Sequence, residues 1–349
     1  MTLSTTATPA DLAPRRPASA RPRRALGLAV CALAVVVAVV CSLAFGSRVV
    51  GWSDVVSGVL HPDDSIAQAA VASRVPRTLL GLLVGAALGL AGSVMQGLTR
   101  NPLADPALLG VSSGASLFVV LGMAWVGLTT LTQHIWVAFL GAAVASLLVY
   151  AIGSMGREGA TPLKLALAGA ATSAALLSAV SMVLLTRTDV LDTFRFWQVG
   201  SIGRASYSDI GQVVPFLVVG AVLAVGCARG MDAIALGDEV ATGLGQRVGL
   251  VRAVGGVAAV LLCGASVAIA GPIGFVGLVV PHLARAFTGP SHRWLLPYAA
   301  ALGAALLLAA DVVGRVVARP QEVEVGIVTA VLGAPVFIAI IRRQKVREL

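Results

Sequence analysis

Residues 74–114 read RVPRTLLGLLVGAALGLAGSVMQGLTRNPLADPALLGVSSG, from Arg74 to Gly114. Two arginines flank Pro76, and the apolar segment behind them carries Gly81, Gly85 and Gly89. Residues four apart share one face of a helix, so these glycines leave a groove where a second helix can approach closely. The segment ends in the polar run Gln96-Gly97-Leu98-Thr99-Arg100-Asn101-Pro102, and another apolar run follows with Gly110, Ser112, Ser113 and Gly114. A soluble core helix is rarely this long, this apolar and this rich in glycine. In lipid the pattern makes sense, because small residues let helices pack where burial among hydrocarbon gives no driving force. Two membrane spans joined by a tight polar turn are expected.

The rest of the chain has the same character. Of 349 residues, 58% are hydrophobic and 12% charged, with a mean hydropathy of +0.93. Soluble domains carry about 25% charged residues, so the chain reads as a multi-span membrane protein. Its formal charge of +9 does not point to nucleic acid. The basic residues, nearly all arginine beside Lys164 and Lys345, sit in short loops and at the chain ends, where they set topology. Cys31, Cys41, Cys227 and Cys263 fall inside expected spans. The first two stand about 15 Å apart on one helix, too far to bridge, and all four read as small apolar core residues.

The expected fold class is an all-α integral membrane protein with ten transmembrane helices. Residues 1–24 are expected as a disordered cytoplasmic tail, 25–343 as the ten-span domain and 344–349 as a second tail. The spans fall near 26–45, 77–98, 106–127, 134–153, 163–186, 209–228, 248–270, 272–285, 294–317 and 325–341. The eighth is short for a full crossing, which takes about 20 residues. Residues 46–73 read as a polar connection. With the N-terminus inside, 17 Lys and Arg face the cytoplasm against 8 outside, so both termini are expected to be cytoplasmic.

Chemistry is hard to place in this pattern. Neither lysine follows a glycine, so the phosphate-binding GxxxxGK[ST] loop is missing. His61, His134, His282 and His292 are scattered over loops and span ends, and the polar residues in the spans are mostly single Ser and Thr. Intramembrane catalysis is therefore disfavoured. His282 reads as a satisfied interfacial histidine rather than a ligand. The stretch Arg229–Arg247 is amphipathic, with Ile234, Leu236, Val240 and Leu244 able to share a helix face while Asp232, Asp238 and Glu239 stay wet. It suits either a surface helix covering span ends or a docking helix for a cytoplasmic partner.

Six motifs carry a resemblance: RVPR (74–77), MQGLTRNPLADPALLGVSSGA (95–115), IALGDEVATGLG (234–245), GFVGLVVPHLAR (274–285), AADVVGR (309–315) and VGIVTAVLGAPVF (325–337). Their order and spacing over roughly 48–343 resemble the FecCD family of ABC-transporter permeases. The resemblance implies a type II importer permease that dimerises, with itself or a similar subunit, around a central pathway. Two ATPase subunits would bind below and a substrate-binding protein on the outer face. It implies that ATP and magnesium act on the partner ATPase, with no cofactor on this chain, and that the cargo is a ferric siderophore, with vitamin B12 or haem as alternatives.

The resemblance assigns Arg74, Arg77 and Arg315 to binding-protein docking. Leu236, Gly237, Asp238, Glu239, Ala241, Leu244 and Gly245 fall in its ATPase coupling loop, and Gln96, Asn101, Leu103, Thr161 and Pro162 at the cytoplasmic gate and pathway. Other readings stand beside these. Arg74 and Arg77 can serve as interfacial anchors, Asp311 and Arg315 can neutralise each other at i and i+4, and Gln96 can cross-link helices. The family's proline before the last span is replaced by Glu324, whose charge also favours a helix start. A stand-alone secondary transporter or channel is the alternative of another class, but such proteins place charged or broken-helix sites near the bilayer midplane.

Overall fold

The computed structural model describes residues 20–60, 65–155, 161–204 and 206–345. Helices build it throughout: α1 (Ala20–Ala44), α2 (Trp52–Leu60), α3 (Ile66–Thr99), α4 (Val111–Leu121), α5 (Leu131–Gly153), α6 (Pro162–Thr186), α7 (Thr188–Gln198), α8 (Tyr207–Ile234), α9 (Asp238–Gly243), α10 (Val248–Ala270), α11 (Val276–Thr288), α12 (His292–Val317) and α13 (Val325–Lys345). A 3-10 turn, Pro106–Leu109, precedes α4, and a wide turn, Gly122–Val126, extends it. No strand occurs among the described residues. Seven of the helices are long and apolar enough to cross a membrane, and the segments Val111–Val126, Val276–Thr288 and Val325–Ala339 are shorter apolar helices.

The expected boundaries hold best where a polar run interrupts an apolar one, as at α10, and shift where tertiary contacts extend a helix. The chain is already helical at Ala20, inside the expected tail, and α13 runs on to Lys345. Residues 1–19 and 346–349 of the two expected tails lie outside the described residues, as do 156–160 of the loop before α6. The expected connection 46–73 contains α2 and the first turns of α3. Ser65 caps α3 by accepting from the Gln68 amide at 3.3 Å, and α2 packs along it with Gly58 against Val71. These contacts carry the helix through Pro76, despite the roughly 3 kcal/mol an internal proline costs. At 34 residues, α3 is about 51 Å long by its rise per residue. That exceeds a hydrocarbon core of about 30 Å, so one end projects beyond the membrane.

α3 is the axis of the molecule. Of its most apolar window 78% is buried, against 17% for α1 at the periphery. It packs on α12, α10, α11, α8, α2 and α1. The expected glycine groove is filled by α12: a methyl on Gly85 would strike the Gly303 carbonyl, and one on Gly89 the Ala299 carbonyl. Gly81 instead meets the Leu308 side chain. One turn beyond Gly89, Gly92 lies against the Gly277 backbone of α11. Gly114 of α4 and Gly141 of α5 meet in the same way.

Backbone-to-backbone seams tolerate no added atom. Gly92→Val should destabilise the protein by at least the ~1–3 kcal/mol of ordinary overpacking, read as a lower unfolding temperature in detergent. Gly226→Val on α8, where the new side chain meets nothing within 4 Å, should leave that temperature unchanged.

Candidate functional site

Charged and polar groups collect at the two ends of α3, separated by about 35 Å of helix between Arg77 and Arg100. At the first end the three expected arginines converge, but their guanidiniums turn inward. Arg74 caps the end of α1, donating to the carbonyls of Leu43 (2.9 Å) and Ala44 (3.0 Å) and to that of Arg48 (2.8 Å). A cation there also suits the negative end of the α1 dipole. Arg77 holds Asp311 with Nε and Nη2, the closest contact being 2.8 Å, and donates Nη1 to Glu322 at 2.7 Å. Arg315 takes the other Asp311 oxygen at 2.9 Å and donates to the Ser42 carbonyl (3.0 Å) and hydroxyl (2.9 Å).

Asp311 is therefore a dry carboxylate shared by two arginines, with Arg315 and Asp311 each 1% exposed and Arg77 12%. Such burial corrects any view of these arginines as loose surface charges. The i, i+4 neutralisation of Arg315 by Asp311 is present, and Arg77 joins it. Arg48, Arg74, Arg77, Arg315 and Glu322 line a recess of about 210 Å³ above the pair. Glu322 escaped the sequence reading. Burial alone would raise its carboxyl, but the Arg77 hydrogen bond and charge outweigh this and hold it below the usual carboxylate range. The Glu324 carbonyl accepts from the Ile327 amide at 3.0 Å to open α13.

At the opposite end α3 stops at Arg100, whose φ of 51° is left-handed. Asn101 then closes a tight turn, its Oδ1 accepting from the Leu103 amide at 2.9 Å and its carbonyl from Ala104 at 3.1 Å. Asn101 is exposed and Leu103 half-buried. Thr161 caps α6 by accepting from Lys164 N at 3.4 Å, with Pro162 at the first helical position, where a missing amide costs nothing. Gln96 differs from these, being 2% exposed. It donates to the Leu278 carbonyl at 3.2 Å and accepts from Arg285 at 2.5 Å, so within one chain it braces α3 on α11.

The Gly237–Gly245 loop forms a six-residue helix, α9, framed by Gly237 (φ 111°) and Gly245 (φ 80°), where left-handed backbone favours glycine. Ala241 is fully buried against Ala233, Ile234, Val248 and Val251 and fastens α9 to α8 and α10. Leu236, Val240 and Leu244 are 65%, 49% and 62% exposed, and Glu239 is exposed beside them. The expected common face with Ile234 is not formed. Ile234 ends α8 inside the core, Ala235 caps that helix, and Leu236 already lies in the turn that leads through Gly237 into α9. Asp238 pairs with Arg252 at 2.9 Å and Arg100 at 3.7 Å. Pairs as exposed as Arg100–Asp238 contribute only ~0–1 kcal/mol. One turn before α9, Asp232 is not simply wet: it accepts from His292 N and Nδ1, each at 2.7 Å, tying α8 to the start of α12.

Residues 34–343 match the model of the FecCD transport family. The chain is 43% identical over 325 residues to the ferric enterobactin transport system permease protein FepD of Escherichia coli, covering 92% of this chain and 96% of the relative. It is 39% identical over 317 residues to the probable siderophore transport system permease protein YfiZ of Bacillus subtilis, covering 90% and 95%. To the hemin transport system permease protein HmuU of Yersinia pestis it is 40% identical over 277 residues, covering 78% and 82%. A solved structure of an inward-facing metal-chelate type ABC transporter superposes with a TM-score of 0.77 at 28% identity, covering 90% of this chain and 98% of that one.

Asp311→Asn removes the carboxylate that two buried guanidiniums share. Breaking such a pair costs about 3–5 kcal/mol, so the variant should unfold at a clearly lower temperature than wild type. Arg48→Gln, at an exposed side chain on the rim, should stay within about 0.5 kcal/mol. Equal unfolding temperatures for Asp311→Asn and wild type would remove the ion cluster from the account.

Proposed function

The chain belongs to the FecCD transport family, and from that premise we propose that it is the membrane permease of an ABC importer that carries a ferric siderophore inward. ATP and magnesium act on separate ATPase subunits. The observation that carries the reading is the full-length likeness to permeases named for siderophore transport. Haem or vitamin B12 is the second reading, favoured by relatives named for hemin and cobalamin at 40% and 38% identity.

In this reading the seven long and three shorter apolar helices make ten passes over residues 25–343, α2 and α7 lie on the outer face, and both termini are cytoplasmic. Two permeases, identical or similar, enclose the pathway. Docking of the binding protein falls to Arg74, Arg77 and Arg315, which line the floor of the recess. The bidentate geometry of arginine fits a carboxylate there. Arg77 already holds Glu322, 34% exposed, so an acidic side chain of the partner that displaces it exchanges like for like.

The α9 loop, Leu236, Gly237, Asp238, Glu239, Ala241, Leu244 and Gly245, is the ATPase coupling element in this reading. Its exposed leucines supply an apolar anchor and Ala241 the hinge pin. Asn101, Leu103, Thr161 and Pro162 form the cytoplasmic gate, and Gln96 supports it from behind.

Reconstitution in proteoliposomes tests the reading. Ferric-siderophore uptake should require the ATPase, the binding protein and ATP together, whereas a stand-alone transporter or channel would work without the first. Leu236→Asp with Leu244→Asp places carboxylates where an apolar anchor is needed, and desolvating them costs several kcal/mol. Because both side chains are exposed in the free permease, the variant should fold normally yet lose ATPase association and import by well over about tenfold. A double variant that still imports would refute the coupling assignment. In a second measurement, Leu103→Cys in both permeases should cross-link readily without nucleotide and less readily with ATP bound. A yield indifferent to nucleotide would count against the gate.

A further inference from the structure

Asp238, the first residue of α9, stands between guanidiniums that belong to two different elements. Arg252 lies in the second turn of α10 and is 23% exposed. Arg100 terminates α3 and is 44% exposed. Nothing local brings these three together, since they are spread over residues 100–252. Resting on the reading of α9 as the coupling element and of 101–103 as the gate, we propose that the Asp238–Arg100 pair is the link by which movement of α9 reaches the gate turn, with Arg252 as its fixed counterpart.

Three features of the site support this. First, α9 can move at its ends. Gly237 and Gly245 take left-handed backbone, and a side chain added at either, or at Gly243, would meet nothing within 4 Å. The helix is pinned by Ala241 against α8 and α10 and by Asp238 on Arg252 of α10, so it tilts about those two contacts.

Second, Arg100 transmits. Its left-handed backbone is the cap of α3, and the next residues are locked to one another by Asn101, which binds the Leu103 amide through its side chain and Ala104 through its carbonyl. Pulling on Arg100 therefore displaces the turn as a unit rather than one side chain.

Third, the two arms differ in strength. The 2.9 Å contact to the more buried Arg252 is the tighter, and the 3.7 Å contact to exposed Arg100 is the looser. A link that must lengthen and reform in each cycle has to be the weak one. Arg252 keeps Asp238 aimed while the Arg100 contact changes. The neighbouring Asp232–His292 pair joins α8 to α12 and lies before the Gly237 hinge, so it does not move with α9.

A purely structural staple would make a different prediction, because its loss would reduce stability or assembly. The test uses the complete importer of permease, ATPase and binding protein in proteoliposomes. Arg100→Gln should assemble and hydrolyse ATP near the wild-type rate. Siderophore imported per ATP should fall at least about fivefold, the low end of site-to-site coupling, and the 103–103 cross-link should lose its response to nucleotide. Arg100→Lys keeps the charge and should restore most of both. Unchanged import per ATP together with an unchanged cross-link response in Arg100→Gln would overturn the proposal.

Should Arg100→Gln fail to reach the membrane, Asp238→Asn read on the same cross-link decides, since a preserved nucleotide response would equally overturn it. If both express, the double variant should be no worse than the worse single one, as expected for partners in one interaction. Independent, multiplied losses would again exclude the link. The Leu236→Asp, Leu244→Asp variant run alongside separates the two levels of the argument. Retained ATPase binding there refutes α9 as the coupling element. Lost binding there, beside a fully coupled Arg100→Gln, refutes only the link.

Discussion

In lipid, a helix gains nothing by moving its leucines from hydrocarbon tails to hydrocarbon side chains, so α3 must be held by close contact itself. Gly85 against Gly303, Gly89 against Ala299 and Gly92 against Gly277 bring its backbone down onto α12 and α11 with no side chain between. The polar contacts that join α3 to α12 and α11 depend on that proximity. Arg77 reaches Asp311 on α12 only because the seam below it sets the distance between the two helices. Gln96 spans from α3 to the Leu278 carbonyl on α11 for the same reason. Widening the seam by one side chain would pull both contacts apart.

The two ends of α3 use charge differently. At one end Asp311 and Arg315 are withdrawn from solvent, and their guanidinium and carboxylate groups are matched almost atom for atom. Buried pairs of this kind add little stability over apolar packing, but they are costly to break and so fix geometry. At the other end Asp238, Arg100 and Arg252 remain partly in water, where pairs are weak and exchange readily. The chain thus carries a stiff electrostatic cluster and a compliant one on the same helix.

Much of this was readable from composition and spacing, because the lipid constraint acts locally along the chain. Glycines four apart marked the buried face of α3, and the motifs around Gly237 and Arg315 fall on the elements where the candidate site lies. What was hidden is long-range. Glu322 lies 245 positions from Arg77, and Ser42 lies 273 from Arg315. No periodicity reports such pairings, so arginines that look exposed in sequence proved to be internally satisfied. The first turns of α3 are hidden in the polar stretch 46–73, where the Ser65 cap and the packing of α2, not an apolar period, hold the helix. The apolar face drawn through Ile234 and Leu236 failed for the opposite reason. There the end of α8 at Ile234, with Ala235 as its cap and the left-handed Gly237 behind it, interrupts an amphipathic pattern that looks continuous.

The connections at the arginine end are also knitted to one another. Ser201 donates to the Ala270 carbonyl at 2.7 Å, and Gly326 donates to the Gly200 carbonyl at 3.1 Å. Gly271 is pressed against the Trp197 carbonyl. The links after α7, α10 and α12 therefore share one network of backbone contacts, which also satisfies irregular backbone that lipid would not tolerate. No such network encloses α9, whose flanking glycines meet open space. Between these ends α3 is a continuous helix held by backbone contact at Gly85, Gly89 and Gly92, and interiors packed this way transmit displacement rather than absorb it. Compliance therefore lies at the glycines flanking α9 and at the weak Arg100 contact, and stiffness along α3. The division between a stiff end and a hinged end follows from where glycine faces backbone and where it faces nothing.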